Sequence, residues 1–216
     1  IISIEDPIEF LHNHAGCIVT QREVGIDTES FEVALRNTLR QAPDVILIGE
    51  IRTREAMEHA ISFAETGHLV LTTLHANNAN QALDRMLHFF PEDQHDQIQM
   101  DLSLNLRGIV AQQLVPRPQG NGRKAVMEIL LNTPLVGDLI VKGEVSKLKE
   151  LMKRSTEQGM ITFDQALYDA FRRGEIAEDD ALRYADSSNE VRLMIKLGDT
   201  SPSALSREAG ALDFRE

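Results

Sequence analysis

The chain has 216 residues with 34 acidic and 22 basic side chains, a formal charge of −12, and 42% apolar residues. This length suits one domain or one domain with an appendix, with enough apolar material for a packed core, which excludes a disordered or fibrous chain. No apolar run approaches the ~20 residues of a membrane-crossing helix. The acidic balance argues against a broad grip on nucleic acid, and the lone Cys17 excludes a disulfide framework and suits a reducing, cytoplasmic compartment.

The first residue is Ile1, with no leader-like stretch, so the expectation is a segment that begins inside a longer protein. Ile1, Ile2 and Ile4 read as a strand that ends at Glu5-Asp6-Pro7, where proline stops a ladder. Cys17 to Val24 reads as a second extended piece. Phe31, Ala34, Leu35, Thr38 and Leu39 repeat at the spacing of an amphipathic helix, which Pro43 ends. Val45-Ile46-Leu47-Ile48 is a β-branched run of the kind buried on both faces of a parallel sheet. Ala56, Met57, Ala60, Ile61 and Ala64 give the next helix, with Thr53 as its N-cap and Gly67 just past its end. Leu69-Val70-Leu71 opens another buried strand, running to about Leu74.

Strands alternating with helices predict an α/β domain with a parallel sheet. After Asn80 the pattern changes. Ala82 to Phe90 and Asp93 to Leu114 read as helices, Ala125 to Leu131 as a strand, and the remainder as short helices. Thr133-Pro134 is a cap followed by proline at the first helical position, and Thr162-x-x-Gln165 is a capping box. The expected division is a core at 1–131, a helical subdomain at 132–197 and a loose tail at 198–216.

In open parallel sheets ligands bind beyond the carboxyl ends of the strands. Glu5, Asp6, Glu50 and His75 follow their strands and share that edge. Asp44 and His68 begin theirs, ~20 Å away at 3.3 Å per residue, and read as structural. Each acid or histidine alone fits an ordinary solvated loop. Together, two acid clusters and a histidine at one rim form what Mg²⁺ and a phosphate ester require: one or two carboxylates with waters on the metal, a carboxylate to orient or deprotonate the attacking water, and an imidazole beside the terminal phosphate. The phosphate-cradling Gly-x-x-x-x-Gly-Lys-[Ser/Thr] does not occur; Gly120-Asn-Gly122-Arg-Lys has the wrong spacing.

The runs Ile4-Glu5-Asp6-Pro7-Ile8-Glu9-Phe10, Gln21-Arg22-Glu23-Val24, Ala34-Leu35-Arg36 through Arg40 to Pro43-Asp44 and Gly49-Glu50-Ile51-Arg52, and Glu65-Thr66-Gly67-His68-Leu69 through Thr73-Leu74-His75 resemble, in order and spacing, the successive boxes of the secretion ATPase superfamily. Within it they are most similar to twitching-motility retraction ATPases of the PilT/PilU type, closest to PilU, from Ile1 to about Leu197.

That resemblance implies a RecA-like P-loop core, here without its first strands and phosphate loop, followed by a helical subdomain. It implies ATP and Mg²⁺ as cofactors, with Glu5 activating water, Glu50 near Mg²⁺ through a water, and His75 sensing the γ-phosphate. Asp44 and His68 belong to the same boxes, but the strand-length argument keeps them structural. Arg22, Arg36, Arg40 and Arg52 would meet phosphate across a subunit boundary, with an ion pair to one of the many acids an equal alternative for each. The implied assembly is a homo-hexamer or a mixed ring with a related retraction ATPase, working on a pilus platform protein at the inner face of the membrane and not on nucleic acid. Isolated from its phosphate loop, the chain is expected to be inactive. Gly137 and Val141 stand where the family has arginines in a helix, which favours the accessory type and keeps a second reading open, a non-catalytic ring subunit coupled to another motor. A third reading, a metal-dependent hydrolase using Asp6, His12, His14 and His75, would leave the other boxes unexplained.

Overall fold

The computed structural model describes residues 1–118, 120 and 122–199. Four short strands, β1 (Ile2–Glu5), β2 (Thr20–Glu23), β3 (Val45–Ile48) and β4 (Leu69–Thr72), form one parallel sheet in the order β2-β1-β3-β4. Two helices return the chain between strands: α1 (Phe31–Thr38) before β3 and α2 (Arg54–Glu65) before β4. Ser30 caps α1 through Val33 N, and Thr53 caps α2 through Ala56 N. Gly67, at φ 91°, takes the left-handed conformation that stops α2 and turns the chain into β4.

Ile2, Ile4, Ile46 and Ile48 are buried together with Ala34 and Leu35 of α1 and Ala56, Met57, Ala60 and Phe63 of α2. Alternate positions of β3 and β4 behave differently. Val45 and Leu47 are half-buried, while Leu69 and Leu71 are 48% and 47% exposed. The expectation of strands buried on both faces is therefore corrected. Right-handed crossovers that step in one direction along a sheet lay their helices on one face, and α1 and α2 both do so.

Beyond β4 come α3 (Ala79–His88) and α4 (His95–Asn105). The helix expected to continue to Leu114 ends at Asn105, and Gly108–Pro116 is strand β5, paired with β6 (Arg123–Leu131) in a separate sheet. Asn132 N bonds Arg107 O at 3.0 Å, and Arg117 N bonds Gly122 O at 3.2 Å. Ile98, Leu102 and Ile109 continue a helical spacing, but pairing with β6 overrides it in a segment bounded by Gly108 and Pro116.

The chain divides into two compact units, residues 1–109 with 131–148, and 110–130 with 149 onward. The boundary expected between 131 and 132 does not coincide with this interleaved division: α5 (Pro134–Val141) packs on α4 inside the first unit. A Cβ on Gly137 would sit 3.4 Å from Ser103 O and 3.6 Å from Asn132 Oδ1. Both are ordinary van der Waals distances, so the helix contact itself accepts a Cβ at 137, and Val141 is 39% exposed.

The second unit holds α6 (Leu148–Arg154), α7 (Phe163–Arg172), α8 (Glu178–Tyr184) and α9 (Ser188–Asp199). Phe163, Leu167, Ala170, Ala181, Val191 and Ile195 pack with Val115 and Val126 of the hairpin. The expected caps are present: Thr133 at α5 with Pro134 following, and the Thr162–Gln165 box at α7. Residues 198 and 199 end α9; the rest of the expected tail lies outside the described residues. Among the described residues no helix is long and apolar enough to cross a membrane.

Asp164, 5% exposed, accepts from Asp186 N at 2.9 Å and Ser187 N at 3.2 Å just ahead of α9. Burial raises its pKa, opposed by those two bonds, while Asp186 and Glu190 push it further up. Lys149 pairs with Asp186, and Lys153 with Glu190 and Glu150. The folded Asp164 therefore holds its proton more tightly than the unfolded chain does. Its contribution to stability is full below the ordinary value of 3.8 and is lost as pH rises through the raised native value. In denaturant titrations across the acid range, Asp164→Asn should remove this falling component; a slope equal to wild type would contradict it.

Candidate functional site

The site begins with register. Ile4 lies opposite Ile48, and Ile48 opposite Thr72, so the residues that leave β1, β3 and β4 emerge side by side. Gly49 N bonds Ile4 O at 2.8 Å, and Thr73 Oγ1 donates to Gly49 O at 2.6 Å. A Cβ on Gly49 would lie 3.2 Å from Ile4 O and 3.3 Å from Glu5 Cα. Glycine thus lets the end of β3 approach β1 closely enough to continue the ladder.

Glu50, the next residue, has a side chain only 15% exposed. Its Oε1 meets the guanidinium of Arg52 and its Oε2 meets His75 Nε2 at 2.8 Å. The hydrogen bond from Arg52 holds the Glu50 carboxyl below its ordinary range; burial opposes this and the bond from His75 reinforces it. The same contact pushes Arg52 up, with a smaller contribution from Asp6. Glu50 is therefore a carboxylate at neutral pH.

Glu5 stands at the neighbouring strand end with its carboxylate turned toward β2. Its Oε1 accepts from Gln21 Nε2 at 2.9 Å and from Ser3 Oγ. The structure brings Glu50, His75 and Arg52 into contact and places Glu5 and Asp6 at the adjoining strand end. Asp44 and His68 lie at the opposite edge. Asp44 O accepts from Leu69 N, and His68 Nδ1 sits 3.2 Å from Phe63 O, both backbone-anchoring roles. Arg22 occupies β2 opposite Ile4. Arg36 pairs with Glu32 one turn away at 2.5 Å, and Arg40 lies in the 3-10 turn Leu39–Gln41. Since α1 runs back along the sheet, both arginines are toward the amino ends of the strands, away from this chain's own rim.

Sequence reading missed the residues that hold the histidine segment. Ala76 N bonds Leu74 O at 2.9 Å, and Arg85 Nη1 of α3 donates to His75 O at 3.1 Å. Asn78 caps α3 through Gln81 N, while Gln81 Oε1 accepts from Asn77 N. The Asn78-x-x-Gln81 spacing is the detectable signal, a variant of the capping box.

A single carboxylate with imidazole and guanidinium neighbours is a poor cage for zinc and suits Mg²⁺, which keeps most of its waters and takes other oxygens from phosphate. Among the described residues no group of three or more His, Cys, Asp or Glu side chains is placed to hold a metal. His12 and His14 lie between β1 and β2 outside any strand, with His14 Nδ1 accepting from Val19 N at 3.1 Å; the hydrolase reading has no ligand set.

The sequence profile of the family described as "Type II/IV secretion system protein" matches residues 1–176. The chain belongs to that family. It is 73% identical over 201 residues to the type IV pilus ATPase PilU of Pseudomonas aeruginosa, covering 93% of this chain and 53% of that protein. It is 39% identical over 181 residues to the type IV pilus retractation ATPase PilT of Pseudomonas aeruginosa, covering 84% and 52%. Its fold matches a crystal structure of the pilus retraction motor PilT with bound ADP at a TM-score of 0.83 and 41% identity, covering 90% of this chain and 55% of that one. The α/β fold of this secretion-system chain is thus the RecA-like one, and the chain spans about half the length of the relatives it matches.

Two outcomes follow from the rim geometry. Arg52→Ala should move the Glu50 carboxyl up toward its ordinary value of 4.5, read by carboxylate NMR titration; an unmoved midpoint would remove Arg52 as the cause. Gly49→Ala should destabilise the chain by roughly 1–3 kcal/mol, because the atoms it meets are backbone and cannot swing aside; chemical denaturation measures it.

Proposed function

We propose that this chain supplies the acid-and-histidine rim of an ATPase that drives type IV pilus retraction, the motor of twitching motility. The observation that carries this is Glu50 held as a carboxylate between Arg52 and His75, beside Glu5, in a chain 73% identical to PilU and folded like an ADP-bound PilT. Glu50 would hold Mg²⁺ through a water, and the ion would neutralise charge on the phosphate oxygens as the terminal phosphate leaves. Glu5, anchored by Gln21 and Ser3, orients and deprotonates the attacking water. His75 reads the terminal phosphate and relays its presence to Glu50. Arg22, Arg36, Arg40 and Arg52 are the candidate phosphate contacts; Arg36 and Arg40, remote from this chain's own rim, serve a neighbour's. The assembly is a homo-hexamer or a mixed ring with a related retraction ATPase, bound to the pilus platform protein at the cytoplasmic face of the inner membrane.

Gly137 supports the second reading, an accessory ring subunit. Glycine stands there in place of the family's arginine, so whatever that arginine does elsewhere in the family is not done here.

Both readings are tested in the protein at the full length of its relatives. Glu5→Gln, Glu50→Gln and His75→Ala should each lower ATP turnover, the two acid changes by about 10²-fold or more, with nucleotide still bound. Unchanged turnover in the Glu50 variant overturns the catalytic reading. Motility retained by Glu50→Gln but lost on deletion selects the accessory one. The 216-residue chain alone, without a Gly-x-x-x-x-Gly-Lys motif, should show no turnover.

A further inference from the structure

The imidazole that meets Glu50 is poorly held by its own surroundings. The His75 side chain is 72% exposed, and an exposed ion pair confines a side chain weakly. The residues from Thr73 to Asn78 belong to no helix or strand. Thr73 is tied to the end of β3 by Ile51 N, which donates to Thr73 O at 3.1 Å, and by its own Oγ1 to Gly49 O; beyond it the order is made of single bonds. The Ala76 N to Leu74 O bond makes His75 the central residue of a three-residue turn, and the orientation of that turn sets where the imidazole points. One bond ties the turn's own centre to a rigid element, that from Arg85 Nη1 to His75 O at 3.1 Å. Arg85 stands on α3, which Ala82, Leu83 and Met86 anchor by burial, so the base of the arginine is fixed. A guanidinium to a carbonyl is a charge-assisted bond. Arg85 also lines, with His75, Gln81, Asp84, His88 and Phe89, an open groove of about 480 Å³, so the bond is made at the edge of the space beside the histidine.

We propose that Arg85 is a positioning residue for His75: by holding the carbonyl of the turn's central residue against α3, it keeps the imidazole on Glu50. For its catalytic consequence this rests on the ATPase reading above; for its structural content it does not. The bond from Arg85 goes to the His75 backbone, while the Glu50 carboxylate is met by Arg52 and His75. Arg85 acts through the backbone of His75, and a change at Arg85 reaches Glu50 by way of the imidazole.

The test is a double substitution read at the imidazole. In the 216-residue chain, Glu50→Gln should shift the His75 ring nitrogen resonance, since it removes the charge that ring faces. In an Arg85→Ala background the same change should produce little or no shift, and Arg85→Lys, which keeps a donor, should restore most of it. An equal shift in both backgrounds overturns the proposal. At the full length of the relatives, Arg85→Ala should lower kcat by about tenfold with KM nearly unchanged, the signature of lost positioning. If the ring loses its response while Glu50→Gln and His75→Ala leave turnover intact, Arg85 positions His75 and the ATPase reading fails. If turnover needs Glu50 and His75 but the ring responds equally in both backgrounds, the ATPase reading stands and the role of Arg85 falls.

Discussion

One carboxylate organises the rim. The Glu50 side chain is only 15% exposed, and an ionised group so placed is tolerated only where partners replace the lost hydration. Arg52 and His75 do so from opposite oxygens, one from two residues downstream and the other from the end of the adjacent strand. The first partner is local and would survive a loose fold. The second exists only because β3 and β4 are parallel, with Ile48 opposite Thr72, so that Glu50 and His75 both follow the same end of the sheet. The chemistry at the rim therefore depends on how the strand ends sit beside one another, and Gly49, whose missing Cβ lets the end of β3 lie close to β1, is where Glu5 and Glu50 come together.

The same reasoning explains what was legible in the sequence. The strands announced themselves as apolar runs ended by an acid or a histidine, and the rule that parallel sheets work at their carboxyl ends separated Glu5, Glu50 and His75 from Asp44 and His68 without coordinates. Caps were legible because they are local: Thr53, Thr133 and the Thr162–Gln165 box each involve residues three apart. Burial on the second face of the sheet was not, because a run such as Val45–Ile48 looks the same whether one face or both are covered. The strand β5 was hidden for a related reason. Its apolar residues extend the helical spacing of α4, and only pairing with β6, some fifteen residues on, decides against a helix. The partners of His75 were the least visible, since Arg85 and Gln81 act on backbone atoms and leave no chemical signature in the residue they hold.

The departure at 137 lies at a helix crossing. Where α5 crosses α4, Asn132 bonds Ser103 O and Leu106 O at 2.8 and 2.9 Å, drawing the start of α5 onto the end of α4. Gly137 faces that crossing, with Ser103 O and Asn132 Oδ1 at ordinary contact distance from where its Cβ would stand. Val141, one turn later, is partly exposed.

Arg36 and Arg40 are constrained by direction. A parallel connection must run its helix back along the strands, so the last turn of α1 arrives at the amino edge of β3, a strand's length or roughly 13 Å from the rim. Arg36 is already engaged by Glu32 on its own helix. Neither can serve Glu50 of the same chain without unwinding the connection that builds the sheet. Arg52 is the opposite case: two residues beyond Glu50, it cannot leave the rim and is committed to the carboxylate. In the proposed ring, the arginines of α1 could reach a nucleotide at this edge only from another copy, because the parallel connection carries them to the far end of the strands.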